Sequence, residues 1–385
     1  MSTRPRTVLV VHPGAELLRS DRVLLESVTG LREARCRVVV ALPAEGPLVA
    51  QLRRTGAEVQ IVPMLVARRA LLRPGAWWLL LRGATAGLIG AWRTLSRVRP
   101  DVVYVSTALI PQWPALARLR GIPSISHLHE TERSRSRVLE VILYLPHLAS
   151  RRVLVDSRSS LRSINRVLPG SARRAEIVPP PVASPAHPKP PREPLEGPLR
   201  ILYIGRLTPA RGPDLVIEAA KALLHQGRRA DVTLLGAACE ENRWFEEQLH
   251  EQAADSDVEV EFAGAHENSA IFLAAADVLV VPTRFAAPSG TTLVQGVLAL
   301  RPVVAGDANG LREAARAYRT TRVVRADDAA EITEALSYLV ENWSDIVEQL
   351  PASRAEALRR HAPEVYRQQI VRACQVGPAP RSGTA

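Results

Sequence analysis

Nine prolines fall within the twenty residues from Pro179 to Pro198, PPPVASPAHPKPPREPLEGP, and no other feature of the chain constrains its folding as strongly. Proline fixes φ and carries no backbone N–H, so this stretch sustains neither a helix nor a central strand and reads as an extended linker. The same pattern runs on either side of it. Before it, short β-branched segments recur at Thr7–Val11, Arg37–Leu42, Val59–Val62, Val102–Val105, Ser124–His127 and Val153–Asp156, with longer amphipathic stretches between them. After it they restart at Arg200–Ile204, Asp231–Leu235, Glu259–Phe262, Val278–Val281, Pro302–Ala305 and Arg322–Val324. Strand alternating with helix implies a parallel α/β sheet. The expected organisation is an α/β domain over 1–182, a linker over 183–198 and a second α/β domain over 199–385, whose last helix packs back on the first domain and whose tail reads as unstructured. A chain of 385 residues suits two domains. Ligands of such sheets sit at the carboxyl ends of the strands, which points to a cleft between the domains.

Charge divides at the same place. Residues 1–198 hold 30 basic and 14 acidic residues, net +16, whereas 199–385 hold 20 and 25, net −5. Only Lys189 and Lys221 are lysines, so nearly all the positive charge is arginine, by genome composition or by a use for bidentate anion binding. Aromatics are only 4% and no nucleic-acid reader motif is present, which argues against nucleic acid as the partner of the basic half. Cys36, Cys239 and Cys374 are odd in number and far apart, giving neither a disulfide framework nor a metal-binding pair. With no export signal in view, a reducing cytoplasm is expected. The segment Ala76 to Trp92, AWWLLLRGATAGLIGAW, is short for a span and carries Arg82 in its middle, so it is either a buried helix or an interfacial one docking on anionic lipid at the inner membrane face.

Several chemistries lack their motifs. No two glycines stand two apart, which removes the G-x-G-x-x-G dinucleotide fingerprint, and no Gly-Lys pair exists for a Walker A loop. There is no G-x-S-x-G elbow, no H-E-x-x-H and no EF-hand spacing, so neither a metal site nor a cofactor is expected.

What remains is a set of loops at strand ends in the second half. Arg200–Ile204 runs into Gly205-Arg206-Leu207-Thr208-Pro209-Ala210-Arg211-Gly212, where two arginines bracketed by glycines can fork onto a diphosphate, or simply stand solvated. Val278–Val281 leads through Pro282-Thr283-Arg284-Phe285-Ala286-Ala287-Pro288 to Ser289-Gly290-Thr291, where a helix begins. Free N–H groups at such a start bind phosphate oxygens, unless Ser289 merely caps the helix. A third loop, Gly306 to Glu313, follows Pro302–Ala305 and opens another helix.

In this order, GRLTPARGPD, PTRFAAPSGTTLVQGVLALRPVVA and DANGLRE resemble the C-terminal domain of the family-4-type, group 1 retaining glycosyltransferases. The N-terminal half resembles them more loosely, through VLVVHPG, DVVYVSTALIPQWPALARLRGIPSISHLHE, VLVDSRSS and IVPPPV. The resemblance implies a GT-B fold, in which two Rossmann-like domains face each other across a cleft, and a metal-independent transfer of sugar from a nucleotide-diphosphate donor. It implies front-face attack with retention, in which the leaving phosphate itself takes the acceptor proton. Arg206 and Arg211 would neutralise the diphosphate, with Arg where the family usually has Lys at 211. Gly14, Gly205, Ser289, Gly290, Thr291, Gln295, Gly310 and Glu313 would hold the donor, and His129 would line the floor of the site. As residues, Gly14 also reads as a turn glycine and His129 as a hydrogen-bonded loop histidine. Arg133, Arg135, Arg137, Arg151 and Arg152 suit an anionic or lipid-linked acceptor, or plain solvation. Two departures stand out: the family's pair of glutamates falls on Ala287 and Gln295. Gln295 keeps an acceptor for a ribose hydroxyl, but Ala287 makes no polar contact, and a weak or inactive scaffold protein is the alternative expectation.

Overall fold

The computed structural model of the chain describes residues 5–17, 19–67, 77–129, 137–170, 174–266, 268–285 and 290–375. It falls into two compact units, Met1–Pro181 with Pro363–Ala385, and Val182–Ala362.

The first unit is built on a seven-stranded sheet: β1 (Thr7–Val11), β2 (Arg37–Leu42), β3 (Glu58–Ile61), β4 (Val102–Val105), β5 (Ser124–Leu128), β6 (Arg152–Val155) and β7 (Ala175–Ile177). Their order is β3-β2-β1-β4-β5-β6-β7, and every pair is parallel. β7, only three residues long, carries too short a pattern to be read from sequence. β1 and β4 are buried end to end, as strands of a sheet covered on both faces must be. Side-chain alternation sends Val8 and Val10 to one core, and Leu9 and Val11 to the other with Ala91 and Leu95 of the helix Trp77–Val98. The final helix, Pro363–Cys374, adds Tyr366, Ile370 and Ala373 to the Val8 core, against Val28 and Leu31 of the helix Arg19–Glu33.

The second unit holds β8 (Leu199–Ile204), β9 (Ala230–Leu235), β10 (Glu259–Gly264), β11 (Val278–Val281), β12 (Val303–Gly306) and β13 (Thr321–Val324). They too are parallel, in the order β10-β9-β8-β11-β12-β13. Both sheets are doubly wound, and strand order reverses between β1 and β4 and between β8 and β11. The loops leaving those strands are where such sheets open a crevice.

The proline run is less free than its composition suggests, because residues 182–198 belong to the second unit. A run poor in N–H groups still offers its carbonyl oxygens, and the unit supplies donors for them. Arg354 donates to Pro185 O (3.3 Å), Arg301 to Lys189 O (3.0 Å) and Trp343 Nε1 to Arg192 O (2.7 Å). Arg192 in turn grips the buried Asp277 with Nε (3.0 Å) and Nη2, and Asp277 also accepts from the Arg200 N–H at 2.9 Å. The tail, 376–385, lies outside the described residues.

Candidate functional site

In the second unit the loops after β8, β11 and β12 come together, and glycines make that approach possible. A Cβ on Gly212 would lie 2.5 Å from the Pro282 carbonyl oxygen, one on Gly306 2.9 Å from Thr283 O, and one on Gly290 2.7 Å from the Ala314 Cβ. Gly212 and Gly290 also hold left-handed backbone, with φ of +70° and +60°. At the end of β8 a Cβ on Gly205 would come within 2.8 Å of the Tyr203 hydroxyl, which donates to the Arg206 carbonyl at 2.8 Å and fixes the arginine-bearing turn from beneath.

Arg206 is exposed and Arg211 half-buried, the latter on the single 3-10 turn Pro209–Arg211. Neither guanidinium is joined to a carboxylate among the described residues. Arg284, to which sequence reading gave no role, is the opposite case. It donates to both oxygens of Asp214 (2.8 and 2.6 Å), to Asp327 (2.5 Å) and to Pro209 O (2.7 Å), while its own N–H bonds Ala210 O at 3.1 Å. Hydrogen bonds to Asp214 raise its pKa still further, against the lowering effect of burial. Arg284 is thus a brace that clamps the β11 loop to both ends of the turn carrying Arg211.

The helix Thr291–Leu298 starts at Gly290, and the Thr291 Oγ1 at that start is buried with no hydrogen-bond partner among the described residues. Gln295 is half-buried one turn further in. Gly310 is buried and Glu313 half-buried in the neighbouring helix Asn309–Ala315, where Arg312 is tied to Asp307. Ser289 and Ala287 lie outside the described residues. Two guanidinium groups without a carboxylate among the described residues and a helix start thus share one strand edge, an arrangement whose chemistry suits an anion.

In the first unit the switch-point loop is held by His12, whose Nδ1 lies 2.5 Å from Ser106 Oγ and whose Nε2 lies 2.6 Å from Asp21, all buried. Gly14 follows on this loop, and a Cβ there would meet nothing within 4 Å, so the chain itself does not demand glycine. Beyond β5, His129 Nδ1 lies 2.8 Å from Asp156, which stands at the end of β6. Burial would raise the Asp156 carboxyl, but the charge of His129 and the two histidine rings beside it hold it well below the usual range. His127 is itself pushed down to about 4 by burial, so it is neutral at neutral pH. His127, His129 and Asp156 have ligand-type atoms within 4.8 Å of one another; Asp156 Oδ1 is bonded to His129 Nδ1, while His127 Nε2 stands 3.4 Å from it outside hydrogen-bond geometry. Arg133 and Arg135 lie outside the described residues.

Residues 198–342 match the family model described as Glycosyl transferases group 1, and residues 20–184 the model of Glycosyltransferase Family 4. The phosphatidyl-myo-inositol mannosyltransferase of Mycobacterium leprae is 30% identical over 176 residues, 45% of this chain and 45% of that protein. D-inositol 3-phosphate glycosyltransferase 1 of Catenulispora acidiphila is 32% identical over 170 residues, 42% of this chain and 40% of that one. The chain spans less than half the length of these curated relatives. HepE of Anabaena in complex with UDP superposes with a TM-score of 0.77 at 17% identity, over 96% of this chain and 99% of that one. A glycosyltransferase of Rickettsia africae does so with a TM-score of 0.77 at 14% identity, over 96% and 98%. Since the two family models cover most of the chain between them, one on each doubly wound sheet, the chain belongs to the group 1, family 4 glycosyltransferases and has the GT-B fold.

Proposed function

We propose that the chain moves a sugar from a nucleotide-diphosphate donor to an acceptor hydroxyl, with retention of configuration and without a metal ion. The observation that carries this reading is the pair Arg206 and Arg211, unpaired with any described carboxylate and set on a turn braced by Arg284. They and the N–H groups at Gly290 and Thr291 stabilise the departing diphosphate. The bond from the anomeric carbon to the phosphate oxygen breaks, the acceptor oxygen bonds the same face, and the acceptor proton passes to the released phosphate oxygen. No side-chain base is required. In the second unit Gly205, Gly310 and Glu313 shape the donor pocket and Gln295 accepts from the ribose; in the first unit Gly14 serves the phosphates and His129 the acceptor side. HepE has been solved with UDP and with UDP-glucose, which supports trying UDP-sugars first.

Calorimetric titration against UDP-, GDP- and other nucleotide-sugars is expected to give saturable binding of at least one donor, weakened about tenfold or more by Arg206→Ala, the scale of one charged hydrogen bond. Binding to none of them would refute the proposal. The second reading, a non-catalytic binding protein, is favoured by Ala287 and Gln295. Donor binding without release of nucleoside diphosphate supports it, whereas a higher rate in Ala287→Glu identifies a weakened enzyme.

The acceptor is proposed to be anionic or lipid-linked, reached from the inner face of a membrane. Support comes from the +16 of residues 1–198 and from the helix Trp77–Val98, whose Leu88, Ile89 and Trp92 are each about half exposed beside Arg93 and Arg97. Among the described residues no helix is long and apolar enough to cross a membrane. Sedimentation with anionic liposomes is expected at low salt, falling steeply as salt rises or in Ile89→Glu. Absent or salt-insensitive binding would count against a membrane-held acceptor.

A further inference from the structure

A chain of buried polar side chains runs from the last helix to the strand ends of the first unit. The Tyr366 hydroxyl lies 2.6 Å from Ser27 Oγ, Ser27 Oγ 3.4 Å from the Tyr104 hydroxyl, and the Tyr104 hydroxyl 2.6 Å from His127 Nδ1. His127 Nε2 then faces Asp156 Oδ1 at 3.4 Å, and that oxygen is 2.8 Å from His129 Nδ1. Tyr366, Ser27, Tyr104 and His127 are at most 1% exposed. Polar groups at that depth cost stability unless they are paired, so the order of donors and acceptors is constrained.

The carboxylate sets the direction. Ionised Asp156 only accepts, so a lone pair on His127 Nε2 facing it would be repelled, and the proton of the neutral ring belongs on Nε2. His127 Nδ1 is then an acceptor and must receive the Tyr104 O–H. Tyr104 cannot also donate to Ser27, so Ser27 and Tyr366 must settle their own protons behind it, with Val23 O, 3.1 Å from Ser27 Oγ, as the terminal acceptor. The two histidine rings sit with centroids 4.0 Å apart, so a turn of His127 displaces His129 as well as Asp156.

We propose that Tyr104 is a positioning residue. By donating to Nδ1 it holds His127 as the Nε2–H tautomer. This turns Nε2–H toward Asp156 at 3.4 Å, and the Asp156 carboxylate in turn holds a proton on His129 Nδ1 at the carboxyl end of β5. The inference rests on the placement of His129 in the sugar-transfer site; the tautomer it assigns does not.

The test uses the full-length chain with 15N-labelled histidine, compared with Tyr104→Phe and Tyr366→Phe. In the wild type, NMR is expected to show His127 as Nε2–H and His129 protonated at Nδ1. In Tyr104→Phe both assignments are expected to become mixed. Transfer should then fall about tenfold in kcat, the usual scale for loss of an outer positioning contact, while the donor Kd by calorimetry is unchanged. Tyr366→Phe, which that donor order separates from Tyr104, should leave the His127 tautomer unchanged. A His127 tautomer unchanged in Tyr104→Phe overturns the proposal. So does a changed His127 that leaves His129 and kcat as they were, and so does a loss of kcat and donor affinity in equal measure, which would mark a general structural role. If the wild type transfers no sugar, the functional reading fails, and the tautomer of His129 alone then decides the relay.

Discussion

Replacing both Arg206 and Arg211 by alanine is expected to lower turnover about a thousandfold or more while leaving the unfolding midpoint in urea where it was. The rate follows from what the pair is proposed to face. Removing a single preorganised donor from developing negative charge typically costs about 10²–10³ in kcat, and two cations on one diphosphate act on the same charge, so the double loss falls short of the product of the singles. The unchanged stability follows from the structure. Neither arginine is bound to a carboxylate among the described residues, so truncation strands no partner, and Arg206 is already in solvent. Steady-state release of nucleoside diphosphate and a urea titration followed by circular dichroism read the two quantities separately. A double variant with near-normal turnover would show that the diphosphate is neutralised elsewhere. A variant that loses stability as much as activity would show that these arginines build the turn and do not serve it.

The contrast with Arg284 shows what sequence makes legible. Strand positions were readable because a parallel sheet buried on both faces needs unbroken β-branched runs, and the expected strands β1, β2, β4 and β11 coincide with those observed. The meeting of three loops was readable because glycines mark backbone approaches that no other residue allows. Partnership was not readable. Arg206, Arg211 and Arg284 are alike on paper, and what separates them is a pair of carboxylates on Asp214 and Asp327, 70 and 43 residues from Arg284 in sequence. The same holds for Tyr366 and Ser27, 339 residues apart and 2.6 Å apart in space. The proline run misled in a related way: composition alone makes it a tether, but its carbonyls are acceptors that only a folded surface reveals to be engaged. His12 directly follows one expected strand and Asp156 ends another, yet no motif or spacing announces a histidine that finds its carboxylate by folding.

Arg301→Leu is expected to be among the most destabilising single changes in the second unit, at about 3–5 kcal/mol, the range for removing one side of a buried charged arrangement. Arg301 is fully buried, and it donates to four carbonyl oxygens: Leu273 (2.7 Å), Leu300 (2.8 Å), Lys189 (3.0 Å) and Ala274 (3.2 Å). Burial pushes its pKa down to about 10, opposed by Asp277, so the group stays charged at neutral pH and its desolvation must be met by those carbonyls. Leucine removes the desolvation cost but leaves four acceptors dry. Each orphaned acceptor costs about 1–3 kcal/mol, so the loss exceeds the relief. Two of the carbonyls end the helix Ala270–Ala275, and a third lies in the proline run, 112 residues from Arg301 in sequence. The damage should therefore appear in two places at once: a lower urea midpoint, and faster tryptic cleavage after Arg192, whose grip on Asp277 depends on the run staying docked. Arg301→Lys keeps the charge but not the planar fork, and should fall between leucine and the wild type. An Arg301→Leu protein as stable and as resistant to cleavage as the wild type would mean that the run is held without this arginine, by Arg192, Trp343 and Arg354.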